Sequence, residues 1–329
     1  MVKKALDFVK IHAGWDEIIF VYGEQIPKGQ ELDVSLSLLR KPSIGGIEVG
    51  ILSLPEGSGD IRVRIIDDTK KDFIGMCGGL TQCLGKAIVE TVIGENFGIK
   101  ISEGTNRVVL ETDAGHIPIE IDVKNGEFQR VVTDMKSYAD DCYKRGVEVV
   151  EVEEMRMVNV GINEEEKEYV VLEHNELMKR FPDINFWSKE KRTLDVLKHI
   201  FVAFLDYYGM KPDFIYGIIY KREKSNKGKT VRTVFRFFPW DYVPGDELEF
   251  ACGTGAIAIG IAMHELGQIV FSGKPEEVLL IVGGEKLPEW MHVKTELKLE
   301  GTGQRITGAC FSHDRIELVA AGQVYPMRL

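Results

Sequence analysis

Two short stretches pair a thiol with glycines: Met76-Cys77-Gly78-Gly79 and Ala251-Cys252-Gly253-Thr254-Gly255. Each cysteine stands between a strand-like segment and an apolar run with helical spacing, so each is expected in the first turn of a helix. The first N–H groups of a helix have no partner inside it, and the aligned peptide dipoles place about half a positive charge there. Glycines in that turn let an anion approach the amides directly, and the same field lowers the pKa of a thiol. Each stretch therefore reads as a thiol beside an anion cradle. If both helix starts held one carboxylate, its α-carbon would lie between two sulfurs. One thiolate could take the α-proton while the opposite thiol returned a proton to the other face, which inverts the centre. The amides would stabilise the charge that flows onto the carboxylate, and a single such donor is worth about 10²–10³ in rate. This chemistry calls for no cofactor and no metal.

Packing alone would accept alanine or serine at both places, so the recurrence of cysteine favours chemistry. The other three cysteines read differently. Cys83 falls on the first helix, Cys142 and Cys310 have no glycine-rich neighbour, and each is expected to be a small buried hydrophobe. There is no C-x-x-C pair and no histidine at zinc-ligand spacing, which argues against a disulfide framework or a structural zinc site.

The elements that must position these residues recur in order. In the first half, the segments GGIEVGILSL and IRVRIID read as strands, 79–93 as a helix with Leu80, Leu84, Ala87, Ile88 and Val92 on one face, and RVVLETDAGHIPIEIDV and FQRVVTDM as strands. In the second half VEVVEVEEMRMVNVGI and EYVVLE are strands, LDVLKHIFVAFLDYYG a helix, FIYGIIYKRE and TVRTVFRFF a strand pair, 253–266 an apolar helix, and VLLIVGG and HVKTELKLEG strands again. The spacing that brings Cys77 onto Cys252 also brings Gly85 onto Gly260 and Ala87 onto Ala262, and nearly the same spacing brings Pro118 onto Pro288. One strand–Cys-Gly–helix–strand unit is used twice. The expected domains are 1–145, carrying Cys77 and completed by the last strand at 318–329, and 146–317, carrying Cys252. The stretch DDCYKRG at the boundary reads as loop.

Composition narrows the function. With 329 residues, 41 basic against 52 acidic side chains and a formal charge of −11, the chain lacks the clustered positive charge of a nucleic-acid binder. Its apolar runs fall short of the roughly 20 residues of a membrane helix, and the start MVKKALDFVKIH has no apolar signal core. A cytoplasmic monomer or homodimer acting on a small carboxylate is expected.

The two cysteine stretches resemble the paired signatures of diaminopimelate epimerase, in the superfamily that includes the proline and hydroxyproline racemases. Lys10-Ile11-His12-Ala13-Gly14-Trp15-Asp16 is similar to the epimerase opening, Glu111-Thr112-Asp113-Ala114-Gly115 to a racemase motif, and 299–305 onward to the last epimerase strands. The resemblance implies an α/β (α+β) fold of two pseudo-symmetric lobes, each a barrel-like sheet around a central helix. It also implies pyridoxal-independent catalysis by Cys77 and Cys252. Departures are equally marked. Cys77-Gly78-Gly79-Leu80 stands where the epimerase has Cys-Gly-Asn-Gly, Gly161-Ile162-Asn163-Glu164 where it has Gly-Asn-Pro-His, and Pro239-Trp240-Asp241 where it has a Glu-Arg pair. Diaminopimelate is therefore not the expected substrate. Arg236-Phe237-Phe238-Pro239-Trp240 is similar to the phenazine-biosynthesis isomerases of the same superfamily.

The expected activity is racemisation or epimerisation of an amino or imino acid, with Cys77 and Cys252 catalytic. Gly78, Gly79, Gly253, Thr254 and Gly255 would hold the carboxylate, and Asp16 and Asp241 are the candidates for its ammonium. Trp15, Trp240 and Tyr242 are candidates for the pocket wall, and His12 and His116 read as structural. A proton-shifting isomerase of an unsaturated acid and a non-catalytic anion-binding protein are the alternatives.

Overall fold

The computed structural model describes residues 5–13, 16–68, 70–162, 169–188, 190–210, 216–223, 230–239, 253–271, 276–283, 294–301 and 305–325. The chain divides into two compact units, one of residues 1–134 with 311–329 and one of residues 135–310.

The first unit opens with the antiparallel strands β1 (Leu6–Ala13) and β2 (Asp16–Tyr22). A helix, α1 (Glu31–Leu39), then carries the chain to β3 (Glu48–Ser53), which lies parallel to β2 with Ile18 against Glu48. Strand β4 (Ile61–Asp67) returns antiparallel, and the short β5 (Asp72–Ile74) leads to α2 (Gly78–Glu90). After α3 (Ile93–Asn96), strand β6 (Gly104–Thr112) runs parallel to β4, and β7 (Gly115–Lys124) and β8 (Glu127–Asp134) follow antiparallel. The last strand of the chain, β17 (Ile316–Val324), pairs with β1.

The period-two alternation of the strands sorts their side chains between two cores. Ile18 and Phe20 of β2 pack with Leu80, Cys83, Leu84, Ala87 and Ile88 of α2. Their neighbours Ile19 and Val21 join Val34, Leu38 and Leu39 of α1 in a second cluster. Helix α2 touches β1, β2, β7, β8 and β17, so the sheet curls around it.

The second unit starts with α4 (Lys136–Arg145), β9 (Val147–Val152) and β10 (Met155–Val160). Strand β11 (Tyr169–Glu173) pairs antiparallel with β10, the helices α5 (His174–Arg180) and α6 (Lys191–Tyr207) cross over, and β12 (Tyr216–Glu223) lies parallel to β11. Next come β13 (Thr230–Pro239), antiparallel to β12, then α7 (Gly253–Glu265), β14 (Glu276–Gly283) parallel to β13, β15 (Lys294–Gly301) antiparallel to β14, and β16 (Ile306–His313). The last three residues of β16 belong to the first unit. Ile257, Ala258, Ile259, Ile261, Ala262 and Met263 are all fully buried, because α7 is apolar on every side and touches β9, β10, β11, β12, β14 and β15.

The two topologies match step for step. An antiparallel pair (β1–β2, β10–β11), a helical crossover to a parallel strand (β3, β12), an antiparallel return (β4, β13), a central helix (α2, α7) and a further parallel strand (β6, β14) occur in each. The repeat read from the sequence is thus a duplicated α/β unit, with a curled sheet around one buried helix each time. The expectation for DDCYKRG is corrected: residues 140–145 are the last part of helix α4 and Gly146 caps it. Ala139 and Cys142 are buried on one side of α4, and Lys136 with Asp140 and Asp141 with Arg145 pair one turn apart, which supports a helix despite its polar composition. Cys83 and Cys142 are core residues, as expected, whereas Cys310 is only half-buried.

Gly85 and Gly260 occupy the same place in the two central helices, and each lets a strand come close. A Cβ on Gly85 would lie 2.8 Å from a methyl of Val131 on β8, and one on Gly260 2.7 Å from a methyl of Leu299 on β15. Gly85→Val should cost about 1–3 kcal/mol by overpacking. Urea unfolding checks this, and adding Val131→Ala should restore part of the loss; a neutral Gly85→Val would contradict the close approach.

Candidate active site

Cys77 is the N-cap of α2, with extended backbone (φ −134, ψ 130), and its Sγ accepts a hydrogen bond from the Leu80 N–H at 3.3 Å. Polar side chains hold the first turns of α2 in place. The Thr81 hydroxyl donates to the Gly78 carbonyl at 2.7 Å and lies 2.7 Å from the Thr133 hydroxyl of β8. The Gln82 amide nitrogen donates to Thr133 Oγ1 at 2.6 Å, and its Oε1 accepts from the His313 N–H of β16 at 3.0 Å. Thr81, Gln82 and Thr133 are fully buried. The helix start, and with it the thiol, is fixed to two strands.

Carboxylates surround that thiol. Glu48, first residue of β3 and 6% exposed, and Asp16, first residue of β2, are both close enough to act on it. Burial first, then the Glu48 and Asp16 charges, push the Cys77 thiol well above its ordinary value. Burial and the neighbouring Asp67 push Asp16 itself up to about 7. Two expectations are corrected here. The helix N-terminus does not make Cys77 acidic, because the tertiary carboxylates and burial outweigh the field of one helix end. The space over Gly79 is not open either: a Cβ there would lie 1.6 Å from Asp16 Oδ2, so the Asp16 carboxylate fills the place a side chain at 79 would take.

In the second unit Gly253 and Gly255 are buried in the first turn of α7, and Thr254 lies between them. The Thr254 hydroxyl is 2.7 Å from the hydroxyl of Tyr169, the first residue of β11, which is 4% exposed. Sequence reading missed Tyr169. Only the matched topology points to it: Tyr169 opens the second strand of the β10–β11 pair as Asp16 opens that of the β1–β2 pair, at a spacing the sequence repeat does not keep. Cys252, Asp241, Trp15, Trp240 and Tyr242 lie outside the described residues.

His12 is half-buried and its pKa is lowered by burial, while His116 is exposed beside Glu111. Glu111 accepts the N–H groups of Glu56 and Gly57 and an Arg62 guanidinium N–H, so that motif pins the 55–60 turn. Among the described residues no group of three or more His, Cys, Asp or Glu side chains could hold a metal ion, and no helix is long and apolar enough to cross a membrane.

No protein-family model matches the sequence, and no curated protein matches it. Solved structures do. A methylitaconate-delta-isomerase matches with a TM-score of 0.62 and 15% identity over 98% of this chain and 96% of that one. A hydroxyproline epimerase from Agrobacterium vitis, with bound trans-4-hydroxy-L-proline, matches at 0.56 and 16% over 98% and 92%. A probable proline racemase from Agrobacterium radiobacter K84, with bound carbonate, matches at 0.56 and 14% over 97% and 93%. The chain has the fold shared by the proline racemases and diaminopimelate epimerase-like proteins.

The raised pKa of Asp16 gives a signed pH effect. An aspartate near 4 when unfolded and about 7 when folded binds more protons in the folded state between those values, so it removes stability as pH rises from about 4 to 7. Asp16→Asn should therefore lessen the loss of unfolding free energy between pH 5 and pH 8, measured in urea. An unchanged pH dependence would contradict the raised pKa of Asp16. Cys77, protonated at neutral pH, should resist iodoacetamide at pH 7.5, and Glu48→Gln should speed its alkylation as read by mass spectrometry. Alkylation of Cys77 as fast as free cysteine would show the opposite.

Proposed function

We propose that the protein is a cofactor-independent isomerase that moves a proton at the carbon next to a carboxylate, and that its substrate is an amino or imino acid whose centre it inverts. The carrying observation is Cys77 itself: a thiol fixed at the start of a buried helix, kept protonated by its surroundings, and repeated as Cys252 at the start of the equivalent helix. A protonated thiol is the acid that inversion needs on one face. Cys252 is then the base in the resting enzyme, taking the α-proton while the Cys77 S–H gives its proton to the other face. The sulfurs end with their roles exchanged, ready for the opposite enantiomer.

The Gly253, Thr254 and Gly255 turn stabilises the carboxylate as charge flows onto it, through amides that are fixed before the reaction starts. Asp16 and Asp241 are the groups for the substrate nitrogen. The fold supports this reading, because the structures that share it include a racemase, an epimerase and an isomerase by their own descriptions.

A panel of amino and imino acids incubated with the protein in D₂O tests it. At least one should exchange its α-proton and lose optical activity, and Cys77→Ala or Cys252→Ala should each lower the rate by about 10²–10⁴-fold, the span of acid–base catalysis. Near wild-type turnover in either variant would sink the two-base assignment. Deuterium uptake with migration of a double bond in an unsaturated acid, and none in amino acids, would identify the allylic isomerase instead.

A further inference from the structure

Of the nine residues of β17, only the first, Ile316, and the last, Val324, join buried clusters, and everything from Glu317 to Gln323 is exposed. Leu318 is 38% exposed, Val319 54% and the following Tyr325 65%, so three of the nine large hydrophobic side chains exposed among the described residues fall within 318–325. Single exposed apolar residues are ordinary, but a run of them on one strand marks a contact surface. The duplicate unit supplies the control. There β9 pairs with β10 as β17 pairs with β1, and α6 lies on the strand: Val150 and Val152 are buried with Leu197, Ile200, Phe201 and Phe204, and the Tyr208 hydroxyl donates to Glu148 at 2.9 Å. Helix α6 belongs to the crossover between β11 and β12. The matching crossover of the first unit, between β2 and β3, has only α1, nine residues against the seventeen of α6, and the cluster around α1 takes in just Val324 of β17. The strand that a helix covers in one unit is left uncovered in the other.

We propose that a second copy of the chain covers β17, the two strands lying against each other across a two-fold axis in a homodimer. Positions 318–325, Leu-Val-Ala-Ala-Gly-Gln-Val-Tyr, carry no charged side chain in a chain that is 28% charged and formally −11. A two-fold axis sets a patch against its own copy, so a charged patch on so acidic a chain would repel itself, whereas this one does not. A different protein would be steered and selected by complementary charge, and the patch offers none. Ala320, Ala321 and Gly322 at its middle let two backbones come close, with Val319 and Tyr325 as apolar bulk on either side. The register against β1 shifts between Lys10 and Ile11, opposite Ala320 and Leu318, which leaves Val319 as the extra residue of a bulge. The bulge interrupts the regular edge, so the copies meet by side-chain packing rather than by extending one sheet. Dimerisation at β17 does not depend on the isomerase reading.

Sedimentation velocity at micromolar concentration tests this, and the wild type should run as a dimer. Val319→Glu and Tyr325→Glu bring like charges together at the axis, and each should raise the dimer dissociation constant about tenfold or more. Val270→Glu, at a 73% exposed residue of the second unit, should leave it unchanged. All three side chains are exposed in the single chain, so far-UV circular dichroism of the variants should match the wild type. A second readout does not rely on weakening. After air oxidation, at least one of Val319→Cys, Ala320→Cys and Ala321→Cys should give a covalent dimer on a non-reducing gel, reversed by dithiothreitol, while the wild type with its own cysteines and Val270→Cys should not. If either Glu variant loses its circular dichroism, the crosslinks alone decide. A wild type that sediments as a monomer overturns the proposal. So does a dimer that folded Val319→Glu and Tyr325→Glu leave intact, or that no β17 cysteine crosslinks, since the copies would then meet elsewhere.

Discussion

The placing of Cys77 depends on one constraint: a helix buried inside a curled sheet has to begin at a fixed point. Helix α2 buries Leu80, Cys83, Leu84, Ala87 and Ile88 among the strands around it, so its axis cannot shift without opening the core. Its polar first turns would be a cost there, and Thr81, Gln82 and Thr133 meet that cost with hydrogen bonds to β8 and β16. The thiol is then placed by the helix rather than by a loop. Its Sγ takes one of the amides that the helix leaves without a partner, which is how an N-cap side chain ordinarily serves.

The electrostatics follow from what the sheet brings to that point. Strands β2 and β3 start beside the helix, and their first residues are Asp16 and Glu48. Both are acids, so the local field favours the thiol over the thiolate, and Asp16 rather than a ligand stands over Gly79. At α7 the corresponding strand starts with Tyr169, whose hydroxyl lies 2.7 Å from that of Thr254. Duplication supplied the same scaffold twice, with Asp16 at the strand start beside one central helix and Tyr169 beside the other.

Much of the scaffold was legible in the sequence. The apolar spacing of 79–93 and 253–266, the alternation in IRVRIID and RVVLETDAGHIPIEIDV, and the pairing of Gly85 with Gly260 are local or periodic signals, and the structure has helices and strands there. What was not legible depends on contacts between distant residues. Asp16 and Gly79 are far apart in sequence, and nothing local says that a carboxylate will occupy the glycine's missing side chain. The thiol pKa was misread for the same reason: a helix-end argument counts the dipole and cannot count Glu48. Helix α4 escaped because its charged surface hides a narrow buried side of Ala139 and Cys142.

The proposed function has two sulfurs, those of Cys77 and Cys252, act on opposite faces of one carbon, with Cys77 the resting acid. The most direct test is the early time course of inversion in D₂O, starting from one pure enantiomer, with deuterium counted separately in inverted product and in unreacted substrate. Two bases predict deuterium in the product while the remaining substrate keeps its proton, because the sulfur that removes a proton is not the one that returns it. Equal early labelling of both enantiomers would mean that a single base serves both faces, and would contradict the account.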